Sequence, residues 1–258
     1  MKSKQSAVAE SHQSVIPWGP VTAIVVVIVI YFLSQILAGV IISIYPLVHH
    51  WSQEQAVRWV NSSIAAQFVN IAIIDAVAIW LIRKFLKRRQ AGFRLIGLKK
   101  PRLKDLGYAI GGFVAYILAL IAVFAVVTAM VPGLNFEQRQ ELGFSLTTSG
   151  AALIPVFISL VLLPPIIEEI LMRGFLYTSL RSYWGKINAA IITSLLFAAA
   201  HLQWGSGNAL LWVAAIDTLV LSFVLIYLRE KTDGLASPIM LHMLKNGVVF
   251  VNLFLLHH

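Results

Sequence analysis

The sequence predicts an all-α protein, a polytopic transmembrane helical bundle of about seven or eight membrane segments, and three observations carry that expectation. Of its 258 residues, 59% are hydrophobic and only 12% charged, against about 45–50% and about 25% in an average soluble domain. The mean hydropathy is +0.83. The apolar residues come in runs close to the ~20 residues that a spanning helix needs. A bilayer offers no hydrogen bonds to loose backbone, so such runs must be helices rather than open strands.

Taken in order, the runs lie at about 20–45, 63–83, 106–131, 150–181, 187–203, 209–229 and 236–256. The first exceeds a signal-peptide core and no A-x-A site follows it, so it is expected to stay as an anchor. Residues 1–19 are then a cytoplasmic N-terminal tail. Residues 20–256 form a single transmembrane domain, with the chemistry-bearing motifs in 150–256. Formal net charge is +9, but ten of the twenty Lys and Arg residues fall between Arg83 and Lys104. A basic cluster between two apolar spans reads as a cytoplasmic loop attracted to anionic headgroups. Membrane lipids are therefore expected partners, and nucleic acid is not. The stretch GFRLIGLKKPRLKD is expected to lie along that surface as a short amphipathic segment or a plain loop. The loop biases are of prokaryotic style, which suits a multi-pass protein of a bacterial plasma membrane. With no cysteine, disulfides and thiolate chemistry are excluded.

Charge inside an apolar run costs several kcal/mol, about 3 or more at the helix centre, so it needs a reason. The fourth run reads LLPPIIEEILMRGF. Glu168 and Glu169 are adjacent and point about 100° apart on a helix, so they cannot share one role. Glu169 and Arg173 are spaced for an ion pair on one face. Glu168 is left without a local partner. Pro164 and Pro165 are expected to end or kink the helix before the acids, which would place both near a fresh N-terminus.

The fifth run carries FAAAHL, with Phe197 and His201 on one face; the seventh carries LHMLKN, with His242 and Asn246 on one face. Imidazole nitrogens and an amide oxygen suit zinc. No HExxH occurs, so any such site must be assembled from three helices. Glu168 is 13 residues from Arg181, His201 is 15 from Lys186, and His242 is 11 from Lys231. Those offsets correspond to depths of roughly 20, 22 and 16 Å, near the middle of a slab about 30 Å thick. The three side chains could meet. Asp75, Asp217 and Lys245 are expected to form structural ion pairs, Lys245 with either acid, although a proton relay would use the same groups.

In order and on separate helices, EEILMR, FAAAH and HMLKN resemble the three motifs of the CPBP family, EExxxR, FxxxH and HxxxN/D. That family holds the type II CAAX prenyl proteases and the bacteriocin-processing, Abi-like enzymes. The resemblance covers about 150–256. It implies an intramembrane endopeptidase, a hydrolase of metallo or glutamic type, acting on a membrane-associated protein or peptide. By the same resemblance Glu168 is the general base for a water. His201, His242 and Asn246 hold a divalent metal, zinc by preference and with Glu168 as a further ligand, or else steady the oxyanion. Glu169 and Arg173 support the site, and Phe197 packs under it. Two other readings keep the same residues: a non-enzymatic bacteriocin immunity or scaffold protein, and a proton-coupled transporter with Glu168, Asp75 and Asp217 as a relay. Transport is often signalled by inverted repeats, and none is visible.

Overall fold

The structure, a computed structural model, describes residues 16–135, 138, 143–203 and 209–256. Most of the expected tail, residues 1–15, and the closing His257 and His258 lie outside the described residues.

The first helix, α1 (Pro20–Val48), opens on a proline, where the missing N–H would have had no partner anyway. Its buried positions include the small residues Ala23, Ser34 and Ala38, which let a neighbouring backbone approach closely. Its large residues face outward instead, Val21 being 70% and Phe32 58% exposed. Water would not tolerate that arrangement; lipid does. Within the expected 46–62 loop, α2 (Gln53–Ser62) forms on a capping box between Ser52 and Gln55. The partner of α1 is α3 (Ile64–Arg88). It runs past its expected end at 83, so Arg83, Lys84, Lys87 and Arg88 ride its last turns, where cations complement the helix dipole.

Of the two readings of the segment after α3, the loop is the one the structure shows. Rather than lying flat on the surface, residues 93–97 form turns, and Ile96 is wholly buried. Phe93, Leu95 and Leu98 pack against the same core. Burying four apolar side chains outweighs leaving them at the interface. The next helix, α4 (Leu103–Met130), crosses back.

A long composite helix follows: α5 (Leu153–Phe157), a π-helical stretch Ile158–Leu162, α6 (Leu163–Glu169), a second π stretch Ile170–Leu176, and α7 (Tyr177–Ala200). Pro164 and Pro165 therefore do not break the chain. The π register absorbs them, and the two Glu stand in the last turn of α6 rather than its first. The break comes later, at Gly185, with φ 77° and ψ 173°, a left-handed backbone that costs glycine little. Among the described residues six helical elements are long and apolar enough to cross a membrane, one of them the 51-residue Gly150–Ala200. At ~1.5 Å per residue that element would reach about 75 Å, more than twice a slab ~30 Å thick. The kink at Gly185 divides it into two helices, so the apolar helices among the described residues number six or seven. The bundle closes with α8 (Trp212–Thr232) and α9 (Ala236–Val251), the latter continued by a π turn to Leu256. No strand occurs among the described residues.

Packing of α4 against α8 and α9 depends on Gly112. A Cβ there would meet Leu241 Cδ1 at 2.7 Å and Leu228 Cδ1 at 2.9 Å. One end of the bundle collects the basic turns. There Arg181 and Lys186 pair with Glu230 at 2.5 and 3.0 Å, Lys99 pairs with Asp233 at 2.5 Å, and the Leu235 N–H donates to the Gly97 carbonyl at 2.9 Å. The positive-inside rule assigns that end to the cytoplasm.

Candidate active site

Glu168 of α6, His201 at the end of α7, and His242 and Asn246 of α9 line one cavity of about 280 Å³. Glu168 Oε2 stands 3.7 Å from His242 Nε2, too long for a hydrogen bond but close enough for a small molecule to bridge. The two acids part as their 100° offset requires. Glu168 is 33% exposed to the cavity, whereas Glu169 and Arg173 are both fully buried and paired at 2.9 Å. The guanidinium of Arg173 also lies 4.2 Å from the centroid of the Phe197 ring, a cation–π contact on a desolvated face. Phe197 meets His201 and His242 edge-on, with centroids 4.7 and 6.0 Å away.

Hydrogen bonds fix both imidazoles. His201 does not lie within the helix, as its run suggested, but ends it. Its backbone N–H turns to the Ala198 carbonyl, and its Nδ1 takes the Phe197 carbonyl at 2.8 Å. A carbonyl can only accept, so Nδ1 carries the proton, and in the neutral ring Nε2 keeps a lone pair. His242 Nδ1 lies 3.0 Å from Glu169 Oε1, a carboxylate already paired with Arg173, so it too donates, and in the neutral ring Nε2 is the nitrogen with the lone pair. A carboxylate or carbonyl behind each ring is the usual support of metal-ligating histidines. Asn246 Nδ2 donates to the Leu160 carbonyl at 3.0 Å. These nitrogen and oxygen donors are chemically suited to a divalent cation. Among the described residues, however, no three His, Asp or Glu side chains converge as a ready-made metal cluster.

The cavity wall also holds groups that the sequence offered as structural ion pairs. Lys245 pairs with Asp217 at 2.9 Å, and both line the cavity. Tyr116 of α4 donates to Asp217 from behind. Lys245 thus takes Asp217 rather than Asp75, and Asp75 Oδ2 is buried with no hydrogen-bond partner among the described residues. Ser159, fully buried, also lines the cavity. Nine residues before Glu168, it would be half a turn out of phase on a regular α-helix. No signal in the sequence marked it; the π stretch between them is what changes the phase.

Helices of this length and composition define the class as a multi-pass membrane protein, and the likenesses that follow are to endopeptidases of membranes. Residues 150–248 match the family described as type II CAAX prenyl endopeptidase Rce1-like. All three motifs fall inside the matched residues. Over 231 residues, 87% of this chain and 86% of the relative, it is 28% identical to the membrane-embedded CAAX protease MroQ of Staphylococcus aureus (strain USA300). Over 88 residues, 33% of this chain and 38% of the relative, it is 35% identical to an uncharacterized 24.3 kDa protein of Escherichia coli. No solved structure matches.

Proposed function

We propose that this protein hydrolyses a peptide bond of a membrane-associated protein or peptide from within the bilayer, with Glu168 as the general base. The observation that carries this reading is the shared cavity. One partly exposed carboxylate faces two tautomer-fixed imidazoles and an amide, and a buried ion pair holds one of the rings.

Glu168 removes a proton from a water in the cavity, and the water oxygen bonds to the carbonyl carbon of the substrate. The carbonyl π pair becomes the oxyanion. Glu168 then returns its proton to the amide nitrogen as the C–N bond breaks, leaving a carboxylic acid and an amine. Glu169 and Arg173 touch no reacting atom; they orient His242. His201, His242 and Asn246, with Glu168 beside them, would hold a divalent metal, for which zinc suits the donor set. When bound, such an ion supplies Lewis acidity and charge stabilisation for the oxyanion. The membrane sets the substrate class: only a chain already in or on the bilayer reaches a carboxylate at this depth.

The test is cleavage of a membrane-peptide library by the purified protein and by Glu168→Gln, each with and without chelator. Cleavage by the wild type that Glu168→Gln lacks supports the reading, and loss on chelation assigns the metal. Biological function that survives Glu168→Gln would favour the immunity or scaffold reading instead.

A further inference from the structure

The carbonyl that Asn246 engages has lost every donor its own helix could offer. The N–H four residues on would be that of residue 164, and five residues on that of residue 165; both are proline and have none. Three residues on, the Leu163 N–H is already given to the Ile158 carbonyl, the bond that closes the π turn. The Leu160 oxygen would therefore stand unsatisfied at membrane depth, where the cost is high. Asn246 Nδ2, reaching across from α9, meets it at 3.0 Å.

We infer that the Pro164–Pro165 pair is a positioning device for Asn246: by stripping the Leu160 carbonyl of helical donors it fixes which way the side-chain amide faces. The Leu160 oxygen only accepts, so the atom beside it must be the NH2, and the amide cannot flip without breaking the bond. Oδ1 is then the end not bound to that carbonyl, on a side chain that lines the cavity with Glu168 and His242. Asn246 thereby offers the site Oδ1, an acceptor toward a cation, a water or a substrate N–H, together with the second N–H of its amide, since only one is given to Leu160. This role deepens the proteolytic reading and rests on it. The orientation of the amide does not.

Both parts can be tested, and separately. Leucine at 246 removes the donor and keeps the bulk; alanine at 164 restores a backbone N–H within reach of the Leu160 oxygen. In detergent, Asn246→Leu is expected to lower Tm by about 3 °C when residue 164 is proline, and by almost nothing in the Pro164→Ala background. Equal losses in both backgrounds would overturn the orientation whatever the enzyme does. In the cleavage assay, Pro164→Ala alone is expected to lower kcat about tenfold at unchanged KM, because the amide is released. Asn246→Asp cannot donate to Leu160 and repels it, so it should be weaker still. Adding Pro164→Ala to Asn246→Asp should raise its kcat about tenfold, since the backbone then serves Leu160 and the carboxylate can turn to the cavity. If Pro164→Ala instead lowers the activity of Asn246→Asp further, the proline is only structural and the positioning role is wrong. A wild type that cleaves nothing would remove the acceptor role and leave the Tm comparison to decide the orientation.

Discussion

Two polar regions lie side by side on the composite helix, and they differ in what they admit. Around Glu168 is a cavity, open enough that a third of the side chain is exposed; around Glu169 and Arg173 everything is closed. A single residue step separates them, because one step along a helix is a rotation of about 100°. His242 joins the two, with Nδ1 on the sealed acid and Nε2 toward the open one. A membrane protein can thus keep one carboxylate reactive by spending its neighbour on structure, and the comparison sorts the expected mutant effects.

The largest effect on activity belongs to the open side. Glu168→Gln is isosteric and removes only the base, so kcat should fall by roughly 10²–10⁴-fold. Because Glu168 makes no short hydrogen bond among the described residues and stands 3.7 Å from His242, Tm should stay where it is. An active Glu168→Gln protein would erase the distinction between the two acids.

The largest effect on stability belongs to the sealed side. Glu169→Ala or Arg173→Ala leaves a bare charge in a dry interior, which costs about 3–5 kcal/mol, or about 10 °C in Tm for a chain of this size. Cleavage should fall as well, since His242 loses the group that holds its ring. Replacing both by leucine should cost less than either single change, because no charge is then left uncompensated and only the His242 Nδ1–H loses its acceptor. Thermal unfolding of the three variants in one detergent checks the ordering.

Lys245 and Asp217 sharpen the contrast. They are an ion pair like Glu169 and Arg173, yet their side chains are 21% and 19% exposed and sit in the cavity wall. Asp217→Asn should therefore cost only about 1–2 kcal/mol, measured in the same unfolding assay, with Tyr116 keeping an acceptor in the new amide. A loss as large as that of Glu169→Ala would mean that the wall is as dry as the sealed pair.

What could be read from the sequence follows the same division. Glu168, Glu169, Arg173, His201, His242 and Asn246 stood out because a polar group in an apolar run is an exception that demands a cause. The pairing of Glu169 with Arg173 was legible from spacing alone. Which acid Lys245 would choose was not, since that depends on how α8 and α3 are rotated about their axes, and the apolar runs leave the rotation open. The proline pair misled for a related reason. Proline forbids one hydrogen bond, and the usual result is a break; here a π register and an amide from another helix supply what is missing. Residues 93–98 stayed open between a surface segment and a loop because four apolar residues without a clear period fit either, and only the neighbouring helices decide.

The weakest effect should come from outside the membrane, at the turn between α8 and α9. Asp233 accepts from Lys99 at 2.5 Å and from Arg229 at 3.4 Å. The Lys99 hydrogen bond, more than any other influence, holds its carboxyl below the ordinary value of 3.8. A depressed value in the folded state means stability that is present above pH 3.8 and is lost as pH falls below it, through the folded value. The side chain is 81% exposed, so solvent screens the pair and the whole contribution should stay below about 1 kcal/mol. Asp233→Asn keeps the left-handed backbone, at φ 50°, that asparagine adopts readily. It removes the charge and little else. Its Tm deficit should be a degree or two at low salt, shrink in about 1 M salt, and vanish once the pH has fallen below the depressed folded value, where the wild-type carboxyl is protonated too. A deficit that persists under both conditions would make this turn a packed joint rather than an electrostatic one, closer in kind to the sealed pair than to the surface it occupies.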